Sequence, residues 1–278
     1  MTNVLDGVRD HYGPTGLVER LKTALATFGP EEQRLTPQQL SPLDQFHTGG
    51  LPATAALAEL AGITADMAVL DVGSGIGGPA RFLAATYGCR MTGIDLSQPF
   101  VDAARYLAQR TGQNEHVTFT TASALDLPFE DKSFDLVLLQ HVAMNIADRP
   151  RLYREIRRVL KPAGRFATYD VVLDSGDPHY PVPWARTKAT SFLLTAAATR
   201  QAIEPAGFRT LAWQDDSQAA TAWFAQRGSA PPPSPNLGVV MGPDFARFTA
   251  NLGRNLLEGR LGILAAVFEA VSVQTRPA

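Results

Sequence analysis

Short apolar runs alternate with stretches of helical periodicity from residue 68 to residue 172. The apolar runs, which have the length and composition of buried strands, are 68–72, 90–95, 116–122, 134–140 and 165–172. Strands that alternate with helices are typical of a parallel sheet covered by helices on its faces. The pattern therefore predicts an α/β fold with one doubly wound core.

The connections between these runs carry helix signals. The segment "PARFLAATYG" has Pro79 in its first turn and Gly88 at its end, which predicts one helix. Ser97 is placed to cap the next helix, which Gly112 ends. In "RPRLYREIRRVL" the apolar residues recur at spacings of four, seven and eight, which predicts a third helix. The "KPAG" that follows predicts a turn before the fifth strand.

The flanks of this core have a different pattern. Residues 1–60 are predicted to be helical, since Leu17, Leu21, Leu25 and Phe28 share one helical face. Residues 173–190 are rich in proline and aromatic residues and predict irregular structure. The other flanking predictions are a helix over 191–207, a strand at 209–213, a Pro/Ser linker or mobile loop at 227–238, a last helix near 243–258, and either a strand or a helix at 261–268.

Composition excludes several classes of function. The chain has 278 residues, 19% of them charged, and a net charge of −2, which disfavours a nucleic-acid partner because phosphate binding needs a basic surface. Cys89 is the single cysteine, so no internal disulfide is possible, and the histidines are too scattered to predict a metal site. The N-terminus carries charges, and 261–271 is short and interrupted by Glu269, so we expect a cytoplasmic protein without membrane insertion.

The glycines of "VLDVGSGIGGPARFLA" (69–84) fit two cofactor templates. Gly73, Gly75 and Gly77 are typical of a loop that binds S-adenosylmethionine, whereas Gly73, Gly75 and Gly78 fit a dinucleotide loop. Asp95, at the end of the second strand, can accept hydrogen bonds from ribose hydroxyls of either cofactor. Asp71 precedes the loop, and its carboxylate suits the ammonium group of S-adenosylmethionine.

The order of four stretches along the chain decides between the two cofactor templates. They are "LDVGSGIGGP", "GIDLS", "ALDLPFEDKSFDLVLLQHVAMNI" and "IRRVLKPAGRFATYDVV". This series resembles the class I methyltransferases of the ubiquinone/menaquinone-biosynthesis type, near the sarcosine/dimethylglycine, sterol and tocopherol branch, over about residues 65–172. The resemblance implies a Rossmann-like seven-stranded sheet with helices on both faces. It also implies S-adenosylmethionine as cofactor, S-adenosylhomocysteine as product, and in-line methyl transfer to a small-molecule acceptor. We expect 1–60 to be an N-terminal helical lid and 61–278 the methyltransferase domain, with substrate-cap insertions near 173–200 and 214–258.

The resemblance also implies roles for residues around the cofactor. The methionine and ribose portion would contact Gly73, Ser74, Gly75 and Gly77, and Asp95 would bind the ribose. The adenine would contact Leu96, Ser123, Ala124 and Leu125, where Ser123 replaces the aspartate common in the family. Gln140, directly after the fourth strand, would lie beside the methyl donor. With Asp71, these residues are the predicted cofactor site.

The acceptor side is predicted from chemistry and position. His141 follows the fourth strand and is a candidate general base, although it can equally bond neighbouring backbone. Asn145 can orient a polar group of the substrate or bond its own turn. Tyr12, Tyr180 and Trp184 are candidates for the acceptor pocket, with plain packing as the alternative. In "DQFHTGG" (44–50) the family's tyrosine is missing, which leaves Gln45, His47 and Gly49 as candidates or as a helix-entry turn.

Two other functions stay open at this point. A non-catalytic protein that binds S-adenosylmethionine, as a sensor or partner subunit, is compatible with Ser123 and the missing tyrosine. A nicotinamide oxidoreductase is supported by Gly78 and Asp95 alone. The sequence leaves open the acceptor, the choice among O-, N- and C-methylation, and a homodimer formed through the last helix.

Overall fold

The computed structural model describes residues 16–227 and 234–271, whose centre is a seven-stranded sheet of order β3-β2-β1-β4-β5-β7-β6. The strands are β1 Ala68–Val72, β2 Arg90–Asp95, β3 Val117–Thr121, β4 Phe134–Gln140, β5 Leu160–Leu173, β6 Phe208–Asp215 and β7 Leu261–Ala270. The first five strands run parallel to one another, and β7 is antiparallel to both β5 and β6. The strand order reverses at β1 and β4, where such sheets bind ligands at their carboxyl ends.

Helices connect the strands and precede the sheet. They are α1 Leu17–Leu25, α2 Pro37–Asp44, α3 Gly50–Ala61, α4 Gly78–Tyr87, α5 Gln98–Arg110, α6 Arg149–Val159, α7 Ala196–Ile203, α8 Ser217–Arg227, α9 Gly238–Met241 and α10 Phe245–Leu257. Within the described ranges, no helix combines the length and apolar character that crossing a bilayer requires.

Both faces of the sheet are buried, which explains the nearly continuous apolar runs of its central strands. Successive residues of β4 point to opposite faces: Leu136 and Leu138 belong to one buried cluster, and Val137 and Leu139 to the other. Helix α6 covers the second face with Ile156 and its neighbours. The predicted α/β fold, a Rossmann-like seven-stranded sheet with helices on both faces, is confirmed.

The N-terminal helices pack on the edge of this core. The predicted leucine face of α1 is buried, and it meets Phe100 and Leu107 of α5 in a third cluster. Helix α3 crosses the predicted boundary at 60/61, and its Leu57 and Ala61 belong to the same cluster as Val69 of β1. The division into a lid and a domain therefore stays a prediction, and Tyr12 lies outside the described residues.

Two local predictions are wrong. The Ser97 side chain makes no capping hydrogen bond, and its Oγ is buried without a partner. A capping hydroxyl would accept from the N–H of the second or third helical residue, but Pro99 has no N–H and the Phe100 N–H donates to Ser97 O at 3.1 Å. The backbone N–H of Ser97 donates to Asp95 Oδ1 at 2.9 Å. The fifth strand begins at Leu160 rather than 165. Its "KPAG" is a bulge inside β5, where residues 161–164 oppose a single residue of β4 and Ala163 has a φ of 58°.

The sequence left open whether a strand or a helix closes the C-terminal part of the chain. The segment 261–268 is a strand, since β7 pairs with β5 from Leu261 to Glu269. The predicted helix over 191–207 is shorter: α7 begins at Ala196, where the Thr195 side chain caps it, and a 3-10 turn follows from Glu204 to Ala206. Helix α8 was not predicted, and residues 228–233 of the expected linker lie outside the described residues.

Candidate active site

The loop after β1 is held by the end of β2. The backbone N–H groups of Gly73 and Ser74 both donate to Ile94 O at 2.8 Å, and Gly75 N–H donates to Asp95 Oδ2 at 2.9 Å. Gly73 has a φ of 76°, and a Cβ at that position would lie 2.4 Å from a methyl carbon of Val142. A side chain is therefore excluded at Gly73 by both conformation and space.

A cavity of about 420 Å³ opens beside this loop, at the carboxyl ends of β1, β2 and β4. We call it the first cavity. It brings together most of the predicted site residues: Gly73, Gly75, Asp95, Leu96, Ser123, Ala124, Leu125, Gln140, His141, Asn145 and Trp184. Residues from five separate segments of the sequence thus meet around one space of the size expected for a small-molecule ligand.

The remaining predicted residues lie outside this lining. Asp71 and Ser74 are buried behind it. Gly77 packs against the ring of Phe119, which a Cβ would approach to 2.4 Å, so its packing alone requires glycine. Tyr180 lines neither this cavity nor the second one described below, and it packs against the buried cluster that contains Trp184.

Asp95 is the best-connected carboxylate of the first cavity. Its two oxygens accept backbone hydrogen bonds from Gly75 and Ser97, which fixes the carboxylate at the cavity wall. Burial raises the pKa of Asp95 to about 6, although these hydrogen bonds favour the ionised form. Each oxygen retains a lone pair with which it can accept a bond from a vicinal diol.

Asp71 is an unpaired acid at the carboxyl end of β1. Its side chain is 2% exposed, and Oδ2 has no hydrogen-bond partner. Burial, with a smaller contribution from the charge of Asp95, raises the pKa of Asp71 to about 7. A buried acid without a partner is costly unless a cation or donor joins it, so this position fits a ligand ammonium group.

Two further polar atoms of the lining have no partner within the protein. Gln140 Oε1 and Asn145 Oδ1 are buried and unpaired, while the amide nitrogens of these side chains bond Thr54 Oγ1 and Val142 O respectively. Ser123 instead uses its hydroxyl locally, where Oγ accepts from Leu125 N–H at 3.2 Å. Unsatisfied atoms that gather around one cavity indicate a polar ligand there.

His141 has an unusual backbone conformation that points to function. Its φ is 53°, a left-handed value that is uncommon outside glycine, and its N–H donates to Tyr169 O at 2.8 Å. The imidazole stacks on the Tyr169 ring with centroids 5.6 Å apart, and Nε2 lies 3.3 Å from Thr48 Oγ1. Strand β5 and the segment before α3 thus hold the ring at the wall of the first cavity.

A second histidine supports this arrangement from behind. His47 is 4% exposed, and its Nε2 lies 2.9 Å from Thr54 Oγ1 and 3.1 Å from Gly50 O. Burial lowers the pKa of His47 to about 4; burial and the nearby His47 also hold the pKa of His141 well below its ordinary value. Both rings are therefore neutral at pH 7, and a neutral His141 can accept a proton.

The segment 44–50 contributes residues that sequence reasoning missed. Phe46 lies between the predicted Gln45 and His47, and it lines the first cavity. Thr48 bridges His141 and the hydroxyl of Tyr169, to which its Oγ1 is 3.5 Å distant. No local pattern marks these residues, because their partners are far along the chain; the resemblance marked only the segment itself.

A second, larger cavity of about 740 Å³ adjoins the first. It lies between the segment 42–48 and the helices α8, α9 and α10. Side chains that line both cavities form their common wall: Phe46, Pro183, Phe245 and Leu252. His47 and Thr48 line the second cavity, while His141 lines the first.

In the part of the chain that the structure describes, no three or more His, Cys, Asp or Glu side chains are grouped as metal ligands. The polar groups of the first cavity are instead suited to an organic ligand with a cationic group and a diol. The orphaned Asp71 oxygen and the Asp95 carboxylate are the observations that fit S-adenosylmethionine.

Comparison with known proteins agrees with this geometry. Residues 70–168 match the family described as "Methyltransferase domain". The methyltransferase GfsG of Streptomyces halstedii is 35% identical over 133 residues, which cover 48% of this chain and 48% of that protein. A sterol 24-C-methyltransferase of Gibberella zeae is 38% identical over 114 residues, 41% of this chain and 30% of that protein. The chain thus spans half or less of the length of these curated relatives.

A solved structure shows the same fold over most of the chain. The geranyl diphosphate C-methyltransferase of Streptomyces coelicolor A3(2) superposes with a TM-score of 0.64 at 18% identity, covering 79% of each chain. The family match includes the glycine loop, Asp95 and the end of β4, which carry the first cavity. The resemblance inferred from the sequence is confirmed over the matched part of the chain, residues 70–168, which match a methyltransferase domain.

Proposed function

We propose that this protein transfers a methyl group from S-adenosylmethionine to a small-molecule acceptor. The observation that carries the proposal is the first cavity. It combines a glycine loop without room for side chains with a fixed carboxylate at the switch point of the sheet, and the unpaired Oδ2 of Asp71 is buried behind its lining. A loop that binds pyrophosphate does not need the buried acid, because an acid would repel a phosphate.

Each predicted residue would contact a different part of the cofactor. Asp71 would pair with the ammonium group, and Asp95 would accept hydrogen bonds from the ribose diol. Leu96 and Leu125 would pack on the adenine, with the Ala124 N–H and the Ser123 hydroxyl near its edge. Gln140, whose Oε1 is unpaired, would lie near the methionine portion.

When bound, S-adenosylmethionine supplies an electrophilic methyl group on a sulfonium. The task of the protein is then to hold the acceptor atom in line with that methyl and to exclude water. Apolar side chains of the first cavity serve both purposes. They are Met144, Ile146, Trp184, Met241, Phe245 and Leu252.

His141 would act as general base for an acceptor that loses a proton. The ring lies at the cavity wall and is neutral at pH 7, so it can take the proton of an acceptor hydroxyl or NH as the new bond to the methyl carbon forms. Thr48 and Tyr169 fix the orientation of the imidazole through hydrogen bonding and stacking. An amine acceptor that is already neutral would use the same groups for positioning.

The first experiment is calorimetric titration with S-adenosylmethionine, S-adenosylhomocysteine and NAD. We expect micromolar binding of both adenosyl ligands and none of NAD, followed by transfer of labelled methyl to one member of a panel of small molecules. Binding without turnover across the panel would favour a sensor or partner subunit instead. Binding of NAD in place of the adenosyl ligands would contradict the proposal.

A cytoplasmic location and a homodimer stay predictions. The helix expected at a dimer interface is α10, whose Phe248, Leu252 and Leu256 are buried within the chain itself. Any dimer through α10 would therefore use its other face. Sedimentation velocity of the purified protein measures the oligomeric state directly.

A further inference from the structure

The second cavity continues from the place where the methyl group would be delivered. Its common wall with the first cavity includes four side chains that line both, Phe46, Pro183, Phe245 and Leu252. A ligand body in the second cavity can therefore present one end to the first. The cavity is large enough, at about 740 Å³, for a molecule of drug size.

Helix α10 is apolar on two sides, which a simple surface helix is not. One side is buried in the core through Phe248, Leu252, Asn255 and Leu256. The other side lines the second cavity with small or apolar residues, among them Ala246, Ala250, Gly253 and Leu257. Leu257 is 75% exposed, an unusual position for leucine that an apolar ligand would cover.

Charge is sparse in the second cavity. Among its described lining residues, Arg254 is the only Asp, Glu, Lys or Arg, and its Nε already donates to Glu258 Oε1 at 2.7 Å. Trp223 and Phe224, with rings 5.0 Å apart, supply much of the remaining surface. A phosphate or carboxylate placed there would lose its hydration without gaining a cluster of cations.

Polar groups are concentrated where the two cavities meet. Thr48 lines the second cavity and lies 3.3 Å from Nε2 of His141, which lines the first. A single hydroxyl or NH of an acceptor at this junction would find a hydrogen-bond partner, while the rest of the molecule stays in the apolar space. The arrangement favours an acceptor with one polar end and an uncharged body.

We propose that the second cavity is the acceptor pocket and that it takes an uncharged, largely apolar acceptor whose polar end reaches Thr48 and His141. This inference rests on the proposed function, since it assigns the substrate class of the same site. It separates this chain from any methyltransferase whose acceptor carries a diphosphate or other charged group.

The test uses a matched pair of probes that share one hydrocarbon, geraniol and geranyl diphosphate. The full-length protein, saturated with S-adenosylhomocysteine, is loaded with the neutral fluorophore N-phenyl-1-naphthylamine, and each probe is titrated to displace it. We expect geraniol to displace the fluorophore at a concentration about tenfold lower than geranyl diphosphate, because burial of the diphosphate is uncompensated. Equal or stronger displacement by geranyl diphosphate overturns the inference.

Two exposed leucines provide matched variants that locate the probe. Leu257 lines the second cavity, whereas Leu211 of β6 is 45% exposed and lines neither cavity. Leu257→Asp should weaken fluorophore binding about tenfold, and Leu211→Asp should leave it unchanged. Ala250→Trp, which fills the cavity without adding charge, should weaken binding as well.

The remaining outcomes separate this inference from the proposed function. The variants should bind S-adenosylhomocysteine as the wild type does, since none of their positions lines the first cavity. Failure of the wild type to bind that ligand refutes the proposed function. Normal cofactor binding with equal fluorophore affinity in both leucine variants refutes only the acceptor pocket. Dissociation of a dimer by Leu257→Asp would show that this face contacts a second copy, which also refutes it.

Discussion

The two cavities of this protein are built by different means. The first is formed by backbone: a glycine loop, the carboxyl ends of three strands, and carboxylates fixed by amide groups. The second is formed by side chains of helices and loops, mostly from the segment before β1 and from the helices between β6 and β7. The family match at 70–168 covers the glycine loop and the strand ends of the first cavity, and it ends before α8, α9 and α10.

This difference explains why one ligand is recognisable from the sequence and the other is not. Gly73 cannot change without moving Val142, and Asp95 cannot change without releasing two amides, so backbone geometry restricts these positions. Positions that line the second cavity, such as Ala250 and Leu257, are not restricted by backbone geometry, because another apolar residue fits there equally well. We therefore expect variants of the first group to act through the cofactor, and variants of the second through the acceptor alone.

The largest effect, on the free energy of unfolding, is expected where α2 packs against α4. Arg81 of α4 is fully buried and donates to Asp44 Oδ2 of α2 at 2.7 Å, just before the segment that carries Phe46 and Thr48. Arg81→Met strands the buried Asp44 carboxylate and should lower the free energy of unfolding by about 3 to 5 kcal/mol. Urea unfolding measures this loss.

The matched control is an exposed ion pair. Lys188 and Asp177 have side chains 73% and 77% exposed, so Lys188→Leu should leave the urea midpoint of unfolding close to that of the wild type. Equal effects of the two substitutions would mean that α2 is not held to α4 by this contact.

The next effect concerns cofactor affinity. Asp95→Ala removes the proposed acceptor of two hydrogen bonds from the ribose diol, each worth about 1.5 to 3 kcal/mol. It also frees the N–H groups of Gly75 and Ser97. The Kd for S-adenosylhomocysteine should rise about a hundredfold or more by calorimetry. Asp126, an exposed carboxylate of the same cavity, is the control, and Asp126→Ala should leave the Kd within about twofold. A large loss in both variants would indicate a general charge effect.

Much of the structure around the first cavity is predictable from the sequence, because backbone geometry restricts its residues. The predicted bounds of β1, β2 and β4 match the structure, because buried parallel strands leave continuous apolar runs. The predicted cap at Ser97 fails because Pro99 has no N–H to donate and the Phe100 N–H bonds the Ser97 carbonyl, which the identity of the capping residue does not show.

The acceptor side escapes sequence reasoning because its contacts are distant along the chain. Thr48 and His141 are 93 positions apart, and only the fold brings them to 3.3 Å. Tyr180 has the composition of a pocket residue but packs in the core cluster, whereas Trp184, four positions later, reaches the cavity. Aromatic residues serve both purposes, so their presence in a loop does not assign them.

The third effect separates chemistry from binding. His141→Ala should lower kcat about a hundredfold for an acceptor that loses a proton, because the proposed general base is removed. The Kd for S-adenosylhomocysteine should stay unchanged by calorimetry, since Asp71 and Asp95 remain. His116→Ala, at an exposed histidine, is the control for kcat. An unchanged kcat in His141→Ala would leave positioning as the role of this ring.

The smallest effect is a pH dependence that belongs to the first cavity. Asp71 has a pKa of about 7, and only its ionised form attracts the ligand ammonium, so protons compete with the ligand below that value. At pH 6 about a tenth of Asp71 is ionised, and affinity for S-adenosylhomocysteine should be about tenfold lower than at pH 8. Calorimetry across this range measures the change.

The charged neighbours decide how this pH profile is interpreted. Asp95, with a pKa of about 6, adds a second loss of affinity in the lower part of the range, whereas His47, with a pKa of about 4, stays neutral throughout. Asp71→Asn should therefore remove the dependence near pH 7 and keep the one near pH 6. If the profile of Asp71→Asn matched that of the wild type, the ammonium partner would have to be another group. Because the second cavity contains no comparable acid among its described lining residues, displacement of the neutral fluorophore by geraniol should not vary over the same range.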